Sequence, residues 1–474
     1  MPDASILTQS GAACRVTGES LDGLKGQLRG SLLARGEEGY DETRSIWNAM
    51  VDRHPAVIVR CAGAADVRRA VTLARNNNLI VAVRGGGHNI AGNAVCEGGL
   101  MIDLSMMKSV RIDPLRKIAW VEPGATLGDL DKEAQAFGLT TPTGINSTTG
   151  VAGLTLGGGF GWITRKFGMT IDNLLAADVV LASGDLVRAS QTENSDLFWA
   201  LRGGGGNFGI VTAFEFKLHE VGPEVLSGLV IHPLEGAADL LRSYRKIAAA
   251  APDELTVWVV LRRAPPLPFL PEEWHGREIL AFAACYCGDM STGEQALAEL
   301  RALGNPIADV ISPHPFVGWQ AAFDPLLEPG ARNYWKSHDF TELSDDAIAD
   351  LLAAVTRLPT AECEVFLAHV GGAMSRVPAD ATAYPQRKSH FIMNVHTRWR
   401  DAGQDAACIG WARELFGTMA RHAVGTVYVN FMPDDEADRI EAAYGPNYSR
   451  LAEIKARYDP ANLFRMNQNI RPRA

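Results

Sequence analysis

The stretch Val81–Gly92, VAVRGGGHNIAG, places an imidazole directly behind three consecutive glycines. Glycine lets a backbone press against a ligand with no Cβ in the way, and successive amide N–H groups suit phosphate oxygens. A histidine adds a nucleophilic, titratable nitrogen to that cradle. Further glycine clusters stand at 157–161 and 203–206, all before residue 210. Converging loops of this kind would let one long ligand, such as an extended dinucleotide, lie against bare backbone. Other glycine-loop chemistries fail on spacing. No G-x-G-x-x-G sits between a strand and an amphipathic helix, and no G-x-x-x-x-G-K-[ST] occurs. Seven cysteines are scattered along the chain and fit a reducing compartment. Cys285 and Cys287 alternate along an apparent strand, but no His or CxxC partner is near, so they read as buried thiols rather than metal ligands. H-E-x-x-H and H-x-x-E-H are absent.

The elements that must position these groups fall into two textures. Up to Val221-Gly222 the chain alternates short strands and helices: strands in PAVIVR (55–60), LIVAVRG (79–85) and MIDLS (101–105), a helix over Ala64–Asn76, and a hairpin in SVRIDP and KIAWVEPG. Thr126-Leu-Gly-Asp129 reads as a capping box. ADVVLASGDLVRAS turns at SGD between two strands. Phe214, Phe216 and Leu218 alternate as on a half-buried strand. Beyond Gly222-Pro223, strand-like runs (VLSGLVIH, LTVWVVLRR, EILAFAACYCG, CEVFLAHVGG, HFIMNVHTRW) alternate with helical ones over Ala237–Ala250, Gly293–Leu303, Asp345–Arg357 and Ala406–Arg421. That is an α+β unit on an antiparallel sheet. The Pro-rich stretch 264–276 is expected to be a stiff surface loop.

Composition narrows the partners. The formal net charge is −10 and no Lys/Arg-rich block occurs, which argues against nucleic acid or an acidic membrane surface. The longest apolar run, Ile279–Cys287, is far short of a membrane span. The first residues carry neither a basic start nor an apolar h-region, so a cytoplasmic location is expected.

Four motifs in order, VRGGGHN (83–89), GVAGLTLGGGFGWITRKFGMTIDNL (150–174), DLFWALRGGGGNFGIVTAFEFKL (196–218) and YDPANLFRMNQNI (458–470), resemble the berberine-bridge-enzyme-like FAD-linked oxidases of the vanillyl-alcohol-oxidase superfamily. The resemblance implies an α+β chain with an FAD-binding domain over 1–222, a substrate domain with an antiparallel sheet over 223–430, and a tail, 431–474, returning to the first. It implies an FAD-dependent oxidase that takes hydride from a C–OH or C–NH carbon of a small organic substrate and passes the electrons to O2, giving H2O2. A same-fold dehydrogenase with another acceptor, and a non-redox nucleotide binder, are the competing readings.

The same resemblance gives His88 a role. In R-x-G-G-H the histidine bonds to the 8α carbon of the flavin, a neutral imidazole nitrogen adding to the electrophilic methide tautomer. The implied flavin-binding set is Arg84, Gly85, Gly86, Gly87, His88, Asn89 and Gly92. To these it adds Asn146, Thr149, Gly150, Ala152, Gly153, Gly157, Gly158, Gly159 and Phe160; then Ile210 and Val211; and finally Tyr428, Asn430 and Asn469. Two departures matter. Asn146 stands where many relatives carry a second flavin-linking cysteine, so a single tether is expected. Thr149 occupies a position that often shapes oxygen access. At the position that can carry a carboxylate base stands Asn394, which cannot take a proton. Tyr428, if its pKa were lowered, His369 and His396 are the alternatives. His390, Ile392, Asn394, His396 and Arg398 share one face of an alternating run, expected either to line the site or to face solvent.

Overall fold

The computed structural model describes residues 1–473. Its N-terminal half holds two sheets. In the first, Val57–Arg60, Leu100–Asp103 and Val81–Arg84 run parallel, and Ser31–Ala34 joins the edge antiparallel. Helix Ala64–Asn76 lays Val67, Ala70, Val71 and Ala74 on Val57, Val59, Leu100 and Ile102. The apolar positions recur at helical spacing, so one stripe of the helix meets the sheet. The second sheet is antiparallel, in the order Leu186–Ser190, Leu174–Val180, Ile210–Lys217, Ile118–Val121, Val110–Asp113. The capping box forms as spaced: Thr126 caps helix Leu127–Gln135, with Asp129 reaching back.

The second half is built on an eight-stranded antiparallel sheet. Its central order is Glu224–Pro233, Glu278–Tyr286, Leu255–Arg263, Glu364–His369, Phe391–Trp399, Arg332–Phe340. Alternation sorts its side chains. Val257, Val259, Leu261, Phe391, Met393 and Val395 pack beneath helices Ala237–Ala250, Asp345–Val355 and Asp405–Met419. The opposite face looks back at the glycine loops, where Trp258, Ala283 and Ile392 meet Phe160, Trp162 and Tyr428. Strand Phe391–Trp399 is therefore buried on both faces, and the solvent-facing alternative for Asn394 and His396 is excluded.

Two elements depart from what local pattern suggests. Arg332–Phe340, RNYWKSHDF, forms a full strand although its polar residues hid the pattern; burial of Asn333, Lys336, Ser337, His338 and Asp339 overrides propensity. Tyr428 follows no strand but precedes a single 3₁₀ turn, Val429–Phe431. The Pro-rich stretch 264–276 lies largely at the surface as expected, with Ala264 and Leu270 buried and Pro265 and Leu267 reaching the rim of the central cleft. Helix Tyr448–Tyr458 packs Leu451, Ala452 and Ile454 with Phe198, Trp199 and Phe208 of the N-terminal half. Among the described residues no helix is long and apolar enough to cross a membrane, and no cluster of potential ligands could hold a metal.

Candidate active site

One cleft runs between the glycine loops and the bare face of the large sheet. Its first wall is backbone. The loop Gly85–Asn89 leaves strand Val81–Arg84, and the loop 144–150 leads into the short helix Val151–Leu156. The loops touch at Gly86 and Gly150, where a Cβ on Gly86 would sit 2.5 Å from Gly150 Cα. Gly205–Asn207, Ile210, Val211 and Met466–Gln468 continue this wall.

His88 belongs to this wall. Trp47 stacks on the imidazole, with ring centroids 5.2 Å apart and planes 19° apart. The Thr148 hydroxyl donates to Asn146 Oδ1 at 2.7 Å, so it is left to accept from His88 Nε2 at 3.1 Å. The hydrogen-bond network thus assigns the proton to Nε2 and a free lone pair to Nδ1. Burial, reinforced by the Arg84 guanidinium, lowers the imidazole pKa to about 4, so the ring is neutral at pH 7. Asn146 lies in a loop pinned to the other half of the chain. Ser147 N–H donates to Asp324 Oδ1 at 2.9 Å, and Gln320 Nε2 donates to Thr143 Oγ1 at 2.9 Å.

The second wall comes from the sheet. Arg262, Glu364, His396 and Trp335 stand in register across four neighbouring strands. Glu364 accepts from Arg262 Nη1 at 2.7 Å and from His396 Nδ1 at 3.1 Å. Burial pushes this carboxyl up, but Arg262, His396 and Arg398 together outweigh it and hold it at about 2. Asn394 lies on the same face one row along. Both its amide atoms, His396 Nε2 and the indole N–H groups of Trp258 and Trp335 are buried without a hydrogen-bond partner. Such orphaned groups cost about 1–3 kcal/mol each unless something pairs with them. This wall therefore suits a ligand that brings its own polar groups.

Of the residues the sequence points to, Gly85, Gly86, Gly87, His88, Asn89, Asn146, Thr149, Gly150, Ala152, Gly153, Phe160, Ile210, Val211, Asn394, Tyr428 and Asn430 line the cleft, as does His396. The others stand apart from it. Arg84 donates to Thr43 O and lies 4.0 Å from Asp103. Gly92 backs onto Val51, and Asn469 is not in the wall. Gly157 abuts Asn430, and Gly159 abuts Thr170. His369 is turned away, its Nε2 accepting from Arg165 Nη1 at 2.9 Å, and cannot reach the cleft. Tyr428 accepts at its hydroxyl from Gly159 N (2.9 Å) and Asn430 Nδ2 (3.0 Å), yet burial pushes its pKa up to about 12. That is the reverse of what a base needs, and the phenol is neutral at pH 7. Glu364, Arg262 and Trp47 were not read from the sequence, because each reaches the cleft only through pairings far along the chain.

Gly158 also needs reinterpretation. At φ +132° its Cβ would meet Met169 Cε at 2.9 Å and Tyr428 Cε2 at 3.2 Å, so it packs against protein rather than ligand. Gly158→Val is expected to lower stability by about 1–3 kcal/mol or more through overpacking and backbone strain. Denaturant unfolding of the ligand-free protein checks this; an unchanged midpoint would contradict it.

Known proteins agree with this geometry. Residues 55–190 match a family model described as an FAD binding domain, and 427–471 match one described as berberine and berberine like. An FAD-linked oxidoreductase of Dictyostelium discoideum is 32% identical, covering 94% of this chain and 95% of its own. The (R)-6-hydroxynicotine oxidase of Paenarthrobacter nicotinovorans is 31% identical over 94% and 97%. The crystal structure of 6-hydroxy-D-nicotine oxidase from Arthrobacter nicotinovorans superposes with a TM-score of 0.85 at 29% identity, covering 94% of this chain and 98% of that one. Fold, cleft and relatives converge: the chain belongs to the berberine-bridge-enzyme-like FAD-linked oxidoreductases.

Proposed function

We propose that the protein is an oxidase that holds FAD in this cleft through a single covalent bond to His88, takes two electrons and a proton from a C–OH or C–NH carbon of a small organic substrate, and passes the electrons to O2. The observation that carries the reading is that one cleft joins the glycine loops and His88 to the sheet wall bearing Asn394 and His396. The residues fit the cofactor: the touching glycines Gly86 and Gly150 bring the two loops together, Gly153 faces open space in the cleft wall where a Cβ meets no protein atom within 4 Å, and His88 offers a neutral nitrogen in the same wall. When bound, FAD supplies the acceptor for the substrate's electrons.

The chain's own groups do the rest. Trp47 and Thr148 fix the plane and tautomer of His88. Asn146 has no thiol, and its carbonyl is engaged by Thr148, which supports one tether rather than two. Asn394 can both donate to and accept from a substrate hydroxyl. Seven free cysteines support a reducing, cytoplasmic setting.

Acid-precipitated protein is expected to stay yellow, with the flavin on the peptide containing His88. His88→Ala should release all flavin to the supernatant while the fold persists. A colourless wild-type precipitate would refute the tether. Rapid reoxidation of the reduced protein in air, with H2O2 formed, supports an oxidase; slow reoxidation supports the dehydrogenase reading instead.

A further inference from the structure

We propose that His396, oriented by Glu364, is the group that takes the substrate's proton, and that the substrate is a flat, largely apolar molecule with a hydroxyl or amine on the carbon that is oxidised. The inference rests on the FAD reading above and extends it to the base and the substrate class.

Geometry points to the base. In the row Arg262–Glu364–His396–Trp335, Glu364 accepts from His396 Nδ1, which fixes the proton on that nitrogen and turns the lone pair to Nε2. Nε2 is buried, has no partner, and belongs to a ring in the cleft wall. Trp335 packs edge-on against this ring, with centroids 4.8 Å apart, and limits its rotation. An imidazole held this way can accept a proton, and the resulting imidazolium meets the Glu364 carboxylate already in place. Arg262 keeps that carboxylate ionised, so Glu364 and Arg262 are positioning residues. The charged groups facing His396 are Glu364 from the adjacent strand, Arg262 from the next and Arg398 from its own. The other candidates do not serve. Asn394 has no basic nitrogen, Tyr428 is held neutral, and His369 points elsewhere.

The cleft around this dyad sets the substrate class. On the sheet side its surface is Trp258, Val260, Phe366, Ile231, Leu267 and Trp335. Flat apolar ligands stack on such walls. A polyhydroxylated substrate would need a partner for each hydroxyl, and the orphaned buried polar atoms of the cleft wall are confined to Asn394, His396 and the indoles of Trp162, Trp258 and Trp335. For an arylmethyl alcohol, His396 Nε2 would take the O–H proton, and bound FAD would supply the acceptor for the hydrogen and electron pair that leave the carbon. An aldehyde remains, and the proton passes on to water as the product departs.

The test uses two probes on the flavin-loaded enzyme. The first is 4-nitrophenol, which has the ring and hydroxyl but no hydrogen on the hydroxyl-bearing carbon, so it binds without being oxidised. Difference spectra should show it bound as phenolate at lower pH than in water. His396→Ala and the size-matched His396→Gln should lose that band and bind at least tenfold more weakly. Glu364→Gln should keep binding but form phenolate only at higher pH, a change that a packing defect would not produce. The second probe is a panel of arylmethyl alcohols and amines, followed by anaerobic flavin bleaching in single turnover. His396→Ala should slow reduction by about 10²–10⁴-fold with flavin retained. An unchanged phenolate band or bleaching rate in both His396 variants would overturn the base. Failure of wild type to bind 4-nitrophenol or to be bleached by the panel would overturn the substrate class. A protein without flavin colour would instead refute the FAD reading itself.

Discussion

Gly86→Ala is expected to yield a protein that no longer retains FAD and is less stable by several kcal/mol. The new methyl would lie 2.5 Å from Gly150 Cα and overlap its amide nitrogen, and the reciprocal change at Gly150 would place a Cβ 2.7 Å from Gly86 Cα. Both obstacles are backbone, so no rotamer change relieves them and the two loops must part. Overpacking of a close-packed contact costs about 1–3 kcal/mol even where side chains can yield. Parting these loops also moves His88 on one side and the start of helix Val151–Leu156 on the other. A neighbouring substitution separates fold from cofactor. Gly153 lines the same wall, yet a Cβ there meets no protein atom within 4 Å. Gly153→Ala should leave the stability of the ligand-free protein within about 0.5 kcal/mol, so any loss of flavin reports the cofactor's own contact. Flavin-to-protein absorbance ratios and denaturant midpoints of the two variants provide the measurement. Wild-type flavin content in Gly86→Ala would show that the loops can part without cost to the site.

The second large effect lies at the C-terminal tail. Lys455 is fully buried and donates to Asp459 Oδ2 at 2.6 Å, to Asn207 O at 2.6 Å and to Phe464 O at 3.1 Å. Asp459 also accepts from the N–H groups of Leu463 and Phe464. One ammonium thus ties the third glycine loop to the returning tail, and both Asn207 and Phe464 line the cleft. Lys455→Met removes the charge but leaves the Asp459 carboxylate buried. Breaking one side of a buried pair costs about 3–5 kcal/mol. We expect that loss in unfolding free energy, together with weakened flavin retention. Lys455→Met/Asp459→Asn should recover part of the stability, because the uncompensated charge is gone. A single variant as stable as wild type would show that backbone packing alone holds the tail.

The clamp explains a motif that was legible only as a string. YDPANLFRMNQNI stands out in the sequence, but its aspartate acts through a lysine one helical turn earlier and a carbonyl about 250 residues upstream. The same distinction runs through the site. Local pattern determined the helix Ala64–Asn76, the capping box at Thr126, the hairpins and most strands of the second half, because 3.6-residue and two-residue periodicities report burial directly. Motif resemblance determined the FAD family and pointed to His88 and Asn146, both of which line the cleft. Pattern failed at Arg332–Phe340, whose buried polar residues are paired or sheltered by other strands and so break the alternation.

Tertiary structure alone decided which titratable groups face the cleft. His369 and His396 look alike in the sequence, each close to the end of an apolar run. Register turns His369 to Arg165 behind the sheet and sets His396 beside Glu364 in the cleft wall. A shift of one residue in a strand would exchange the two faces. That parity follows from pairing with strands that begin at residues 255, 332 and 364, so no local reading can supply it. Likewise, burial set Tyr428 as a neutral phenol and His88 as a neutral imidazole, because desolvation penalises whichever form is charged. The sequence by itself determined the family and a set of candidate residues; only the folded chain, through register and desolvation, decided which of them face the cleft and that Glu364, Arg262 and Trp47 stand beside them.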